Sequence, residues 1–97
     1  MRTYVVFSGS GPILILTTFA TAADPGLVAK LRLKGIAKFI AHEVPVARVR
    51  ELYGRAFDVV AADVAGHEDM RVLDFNGHHI FASFPLGELG EAVKVGD

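Results

Sequence analysis

The sequence predicts an α/β (or α+β) fold with a single mixed sheet that has a parallel centre, antiparallel hairpins and two short helices, in the order ββαβαββ. Two β-rich segments, 3–8 and 13–19, flank a glycine- and proline-containing turn. A strand–helix–strand pattern covers residues 36–63, and an Asn-Gly turn near the C-terminus indicates another hairpin. With 97 residues, the chain is expected to be a single domain, 1–97, because it is too short for a second core.

The first two segments are predicted to pair as an antiparallel hairpin. Residues 3–8 (TYVVFS) are rich in β-branched and aromatic types, which favour a strand. Residues 9–12 (GSGP) suit a turn, because glycine tolerates positive φ and Pro12 has no amide hydrogen for a strand ladder. Residues 13–19 (ILILTTF) form a nearly continuous apolar run, which indicates a strand buried on both faces.

A helix is predicted to follow, from Pro25 to Lys34. Asp24 can cap the first amides of this helix, and proline suits the first helical turn. Gly35 is a typical helix stop. The residues KLRLK also alternate as in a strand, but the two capping signals favour the helix.

The middle of the chain resembles a βαβ unit in its local pattern. Residues 36–43 (IAKFIAHE) and 57–63 (FDVVAAD) are predicted as strands. Residues 45–54 between them are predicted as a helix, because their apolar residues recur at helical spacing and Gly54 can end it. Two strands joined by a helix are expected to run parallel with a right-handed crossover.

The last predicted hairpin joins residues 70–75 to residues 78–84 through Asn76-Gly77. The resulting register places Asp74 opposite His79. A carboxylate beside an imidazole raises the histidine pKa and can orient the ring as a general base. A cross-strand charge pair is also an ordinary way to fix a register, and this structural role is preferred here.

Composition limits the classes of function and of partner. Apolar and aromatic residues make up 52% of the chain and charged residues 22%, an apolar excess that predicts a homo-oligomer, most simply a dimer. The net charge of −1 argues against a nucleic-acid partner. There is no cysteine, which excludes disulfides and thiol nucleophiles. No apolar run approaches the roughly 18–20 residues that span a bilayer, so no membrane partner is expected.

The N-terminal segment also resembles a secretory signal in outline. Arg2 precedes an apolar stretch that ends in the small residues ATAAD. However, residues 8–12 (SGSGP) interrupt the apolar stretch, and only one basic residue precedes it. A cytoplasmic protein is therefore expected.

The predicted sheet places a candidate site at the carboxyl ends of its parallel strands. Ligands of open sheets with parallel strands bind at that edge, where helix N-termini also converge. The residues at or just beyond the three strand ends are Thr17, Thr18, Thr21, His42, Glu43, Asp63 and His67. The sequence thus predicts that these side chains lie along one edge of the sheet.

Two functions follow from this candidate site. The preferred one is non-catalytic binding of a partner protein or of a small anionic ligand, with Thr17, Thr18, Thr21 and His67 as ligand-binding candidates. The alternative is a small hydrolase- or isomerase-type enzyme, in which His42 acts as acid or base and Glu43 or Asp63 orients it. Polar residues at strand ends are common for structural reasons alone, which favours the first function.

A metal site is a weaker hypothesis, and no cofactor is predicted. Four histidines and four acids are available as oxygen and nitrogen ligands: His42, His67, His78, His79, Glu43, Asp63, Glu68 and Asp69. None of them shows a recognised ligand spacing. Adjacent histidines in a strand would also point to opposite faces of the sheet, so His78 and His79 could not readily share a metal.

Overall fold

The computed structural model describes residues 1–96, which form one antiparallel sheet of five strands with helices on both faces. The strands are β1 (Arg2–Ser8), β2 (Gly11–Thr17), β3 (Phe39–Val44), β4 (Met70–Asp74) and β5 (Val93–Val95), arranged in the order β4-β2-β1-β3-β5. The helices are α1 (Pro25–Leu33), α2 (Val46–Tyr53), α3 (Arg55–Gly66) and α4 (His78–Ala82), and a 3₁₀ turn covers Leu86–Glu88. The chain is thus a small α+β domain.

The predicted parallel centre is wrong, because residues 57–63 belong to α3 and not to a strand. Phe57 and Val64 are buried on the side of α3 that faces the sheet, and Val60 packs against the same cluster. This spacing fits one face of a helix. Gly54, at φ 52°, breaks the chain between α2 and α3 in a conformation that favours glycine. Without a strand at 57–63 there is no βαβ unit, and every strand pairing within residues 1–96 is antiparallel.

The N-terminal hairpin is confirmed, with β2 beginning two residues earlier than predicted. Ser8 lies opposite Gly11, so Gly9 and Ser10 form the turn. The central residues of β1 and β2 are buried on both faces of the sheet. This explains why ILILT is apolar without alternation.

The two predicted helices are confirmed. The Asp24 carboxylate accepts a hydrogen bond from the Gly26 amide at 2.8 Å at the start of α1. Gly35, at φ 88°, follows its end. Leu27 and Leu31 bury one face of α1, and α2 buries Val49.

The predicted C-terminal hairpin is wrong. β4 pairs with β2, and residues 78–82 form α4 instead of the second hairpin strand. Gly77 has φ −71°, whereas the expected two-residue turn needs positive φ at this position. The Gly77 amide donates to the Pro12 carbonyl at 3.0 Å, and a Cβ at position 77 would lie 3.2 Å from the Ile13 backbone. This contact with the first hairpin directs the chain into α4, so the predicted register and its Asp74–His79 pair do not form.

The sheet has a hydrophobic cluster on each face. One cluster lies under α1 and includes Tyr4, Val6, Ile15, Leu27 and Leu31. The other lies under α2, α3 and α4 and includes Val5, Leu14, Leu16, Phe57 and Ile80. The accessible surface of 5519 Å² is close to the roughly 5,400 Å² expected for a folded monomer of this mass. The two-sided core therefore accounts for much of the apolar composition from which an oligomer is expected.

The C-terminal segment forms β5, an edge strand beside β3, which the sequence patterns did not predict. β5 pairs with β3 through three residue pairs, from Phe39–Val95 to Ala41–Val93. None of the helices formed by residues 1–96 has the length and apolar character needed to cross a bilayer.

Candidate functional site

His42 and Glu43 are neighbours on β3 and point to opposite faces of the sheet. Glu43 lies on the face covered by α1, where its carboxylate binds the Arg2 guanidinium at 2.8 Å. His42 lies on the other face, where its Nδ1–H donates to the Gly90 carbonyl at 3.1 Å. The two side chains therefore have separate partners, and Glu43 does not orient the His42 ring.

The His42 ring packs against aromatic side chains. Its centroid lies 5.5 Å from that of Phe81 and 6.2 Å from that of Phe7. Together with the bond to Gly90, these contacts join β3, α4 and the C-terminal segment. These contacts fix the position and the orientation of the ring.

Asp63 and His67 lie at the end of α3, away from the partners of His42. The Asp63 carboxylate pairs with Arg71 on β4. The His67 amide donates to the Asp63 carbonyl at 2.8 Å, as expected at a helix C-terminus. Asp63 is thus committed to β4 rather than to His42.

The three threonines serve the turns that follow β2. Thr17 is fully buried, donates to the Asp69 carbonyl at 2.7 Å and accepts from the Phe19 amide at 3.1 Å. The Thr18 amide donates to the same carbonyl at 3.0 Å, and the Thr21 hydroxyl accepts from Ala23 at 3.3 Å. The carboxyl ends of β2 and β3 do share one edge of the sheet, because both strands pair antiparallel with β1. Their candidate side chains are nevertheless not gathered into one site.

A metal centre has no geometric support in the part of the chain that the structure describes. No group of three or more histidine and acidic side chains there is close enough to hold an ion. His78 and His79 lie on α4 rather than in a strand, and both are exposed.

The cavity beside the carboxyl end of β3 does not favour an anionic ligand. It has a volume of about 280 Å³ and is lined by Glu43, Val44, Pro45, Val46, Glu88 and Gly90. Two carboxylates at its border oppose a negatively charged group.

A different surface, at the outer side of β4, has the features of an interaction site. Within residues 1–96, β4 pairs with β2 on one side only, and a groove of about 480 Å³ runs along its other side. Phe75 is 79% exposed at the end of β4, and Leu33 is 89% exposed at the end of α1. We name this region the β4 edge surface, formed by Leu33, Lys34, Glu68, Met70, Arg71, Val72 and Phe75.

Phe75 is exposed, and the residues on either side of it are fixed by hydrogen bonds. The Tyr53 hydroxyl donates to Asp74 Oδ2 at 2.5 Å, and the Asn76 amide donates to Asp74 Oδ1 at 2.7 Å. Gly77 is held by Pro12, as described above. Burial raises the pKa of Tyr53 well above its ordinary value, and the bond to Asp74 raises it further, so the hydroxyl remains a donor at neutral pH.

Charges on and beside the β4 edge surface are nearly balanced. Arg71 pairs with Asp63 and lies 4.0 Å from Glu68, and Lys30 lies 3.9 Å from Asp69. With Lys34, these groups are three cations and three anions, and the further carboxylate of Asp74 accepts from the Tyr53 hydroxyl. Contact with a second copy of the same surface is therefore not opposed by a large net charge.

The sequence patterns did not identify this site. Phe75 was assigned to a hairpin strand, and the exposure of a side chain depends on tertiary packing that local patterns do not report. The sequence signals for these exposed side chains are a leucine just before a helix stop, Leu33, and a phenylalanine just before Asn-Gly, Phe75.

Comparisons with protein-family models, with curated proteins and with solved structures give no match to this chain.

Proposed function

We propose that this chain is a non-catalytic assembly module that forms a homodimer through its β4 edge surface. The observation that carries the proposal is the exposure of Leu33 and Phe75 beside an edge strand. An edge strand presents main-chain donors and acceptors that a further strand can pair with. Large apolar side chains beside such an edge supply the buried area that strand pairing alone lacks.

The composition of the β4 edge surface supports a second copy as the occupant. A surface with both cations and anions suits contact with a second copy of the same surface. A strongly acidic partner would leave the anions of the β4 edge surface without partners, and a strongly basic one would leave the cations without partners. Edge strands are often protected by charge or by a bulge. β4 has both, Arg71 and a register shift opposite Leu14–Ile15, but neither covers Phe75.

A non-catalytic role is supported by the separation of the catalytic candidates. Glu43 binds Arg2, Asp63 binds Arg71, and His42 donates to a backbone carbonyl. The two carboxylates that the sequence suggested as orienting groups for His42 are therefore both engaged by arginines. The small anionic ligand considered from the sequence has less support than self-association, because carboxylates border the cavity beside β3.

We also infer a cytoplasmic location for the chain. The segment that resembles a secretory signal contains β1 and β2, which are the second and third of the five strands across the sheet. Cleavage after the small residues that follow β2 would remove both strands and the residues that they contribute to both hydrophobic clusters. This argues that the segment belongs to the mature fold.

The test is sedimentation equilibrium of the wild type, of Phe75→Ser and of Val59→Ser. Val59 is a matched control, because it is an apolar side chain 58% exposed on α3 and outside the β4 edge surface. We expect a wild-type mass twice the 10.4 kDa of one chain. Two Phe75 side chains are buried per dimer at about 2 kcal/mol each, so Phe75→Ser should weaken the dimer about a thousandfold.

The control variant should dimerise like the wild type, and circular dichroism should show that both variants are folded. A wild type that stays monomeric at the highest attainable concentration would overturn the proposal. So would a Phe75→Ser variant that dimerises as tightly as the wild type.

A further inference from the structure

We infer that in this dimer two β4 strands pair antiparallel about a two-fold axis, and that each copy places its Phe75 in the groove of the other, beside Lys34, Glu68 and Met70. This inference rests on the proposed function, since it describes the geometry of that dimer. In this geometry the same surface carries both Phe75 and the groove, so that Phe75 of each copy enters the groove of the other.

The direction of the backbone groups of β4 limits where the axis can pass. The Asp69 carbonyl points toward β2, because it accepts from the Thr18 amide. In an antiparallel ladder, alternate residues direct their N–H and C=O groups to the same side. Met70 and Val72 therefore direct these groups away from β2, toward an incoming strand.

The axis accordingly lies at the middle of the strand. The centre of the two outward-facing residues is Arg71, and the centre of Met70–Asp74 is Val72. An axis at Arg71 would place the two Arg71 side chains directly opposite each other, and such a pair of like charges is destabilising. We therefore place the axis at Val72, which brings Phe75 opposite residue 69 of the second copy, next to Glu68, which lines the groove.

Symmetry also keeps the groove and Phe75 on the same side of the joined sheet. A two-fold axis perpendicular to the sheet places both α1 helices on one face, and Lys34 borders the groove from the end of α1. The contact between Phe75 and the groove is then made twice, once by each copy.

Part of the groove suits a phenyl ring. Its lining is more polar than apolar, and the apolar part is supplied by Met70, which is 5% exposed, and by Val72, which is half-buried. Lys34 offers a cation to the face of an incoming ring. Because hydrogen bonds to Asp74 fix the turn that carries Phe75, little conformational entropy is lost when the ring is buried.

Antiparallel pairing also separates like charges. Glu68 and Asp69 precede β4, so the two acidic pairs lie at opposite ends of the joined strands. With the axis at Val72 and about 3.4 Å per residue, the two acidic pairs are about 20 Å or more apart, which is beyond the distance over which surface charges interact strongly in salt. Parallel pairing would place these four carboxylates side by side.

Disulfide cross-linking tests the arrangement, and the chain has no native cysteine to interfere. The two variants to be mixed are Glu68→Cys and Asn76→Cys, which keep Phe75 in both copies. Asn76 follows Phe75 and is exposed, so its replacement leaves the receiving groove intact. After mild oxidation, mass spectrometry measures the 68–76 disulfide against the 68–68 and 76–76 disulfides.

We expect the 68–76 disulfide to form in excess over both symmetric products. The control mixes Glu68→Cys with Val59→Cys, an exposed position on α3, and should give no such excess. Light scattering of the same samples under reducing conditions reports whether a dimer is present.

A dimer without the 68–76 disulfide, or with mainly 68–68 disulfide, would overturn the inferred arrangement and leave the proposed function standing. A monomer under reducing conditions would overturn both. An excess of 59–68 disulfide equal to that of 68–76 would show that the cross-links reflect collision, which also overturns the arrangement.

Discussion

Replacing Tyr53 by phenylalanine removes one hydroxyl that links α2 to the end of β4. The hydroxyl donates to Asp74 Oδ2 at 2.5 Å, and the other oxygen of the same carboxylate accepts from Asn76. The ring of Tyr53 packs against the cluster under α2, α3 and α4, and phenylalanine keeps that packing. The change therefore isolates the hydrogen bond.

The expected loss of stability is modest. A hydrogen bond to a charged group contributes about 1.5–3 kcal/mol, and the half-buried position of Asp74 places this one at the lower end, about 1.5 kcal/mol. With a urea dependence of about 1 kcal/mol per molar for a chain of this size, the unfolding midpoint at neutral pH should fall by about 1–1.5 M.

The same variant should change the response to alkaline pH. The pKa of Tyr53 is raised in the folded state, through burial first and then through Asp74, whereas in the unfolded chain it is close to its ordinary value of 10.0. The stabilisation is therefore complete below pH 10 and decreases as pH rises above it. Burial, followed by the charge of Glu43, also raises the pKa of Tyr4, so the wild type has two contributions and Tyr53→Phe keeps one.

Urea unfolding followed by circular dichroism at neutral pH and at several values above pH 10 measures both effects. Tyr4→Phe is the matched control, because it should retain the alkaline contribution of Tyr53 and the bond to Asp74. The reasoning is refuted if the Tyr53→Phe midpoint at neutral pH equals that of the wild type and the two proteins lose stability equally above pH 10.

Two further substitutions test the fold itself, each by urea unfolding. Phe57→Ala should destabilise the protein by about 3–5 kcal/mol, because the ring is fully buried between α3 and the sheet; a loss below about 1 kcal/mol would contradict that packing. Thr17→Val should cost about 1–3 kcal/mol, because it leaves the Asp69 carbonyl and the Phe19 amide without the threonine hydroxyl. An unchanged midpoint for Thr17→Val would show that these groups find other partners.

The elements predicted correctly are those whose signals are local. The turn at Gly9–Ser10 and the caps of α1 depend on residues a few positions apart, and these signals identified the first hairpin and the first helix. The spacing of apolar residues also identified α2. In each case the tertiary structure agrees with the local preference.

The errors arise where tertiary contacts decide between two local possibilities. A short apolar run such as FDVVAAD fits a buried strand or the inner side of a helix, and packing against the sheet selects the helix. Asn76-Gly77 favours a tight hairpin, but the contact of Gly77 with Pro12 directs the chain elsewhere. The packing of α3 on the sheet and the bond between Gly77 and Pro12 both join residues far apart in the sequence, so local patterns do not predict them.

The candidate site depended on the direction of strands, so one wrong element removed its basis. Once residues 57–63 are helical, Asp63 no longer lies at a strand end beside His42. The direction of adjacent side chains in a strand then separates His42 from Glu43. The exposure of Phe75 could not be predicted, because a phenylalanine in a β-rich segment is ordinarily expected in the core.

β5 has a consequence for the size of any assembly. It covers β3 with only three residues, Val93–Val95, and its middle side chain, Lys94, is exposed. A further strand added there would find few main-chain groups to bind and would have to desolvate a cation. Growth of the sheet into an open-ended fibre is therefore disfavoured at this end, and the dimer that we propose through β4 would stop at a closed pair.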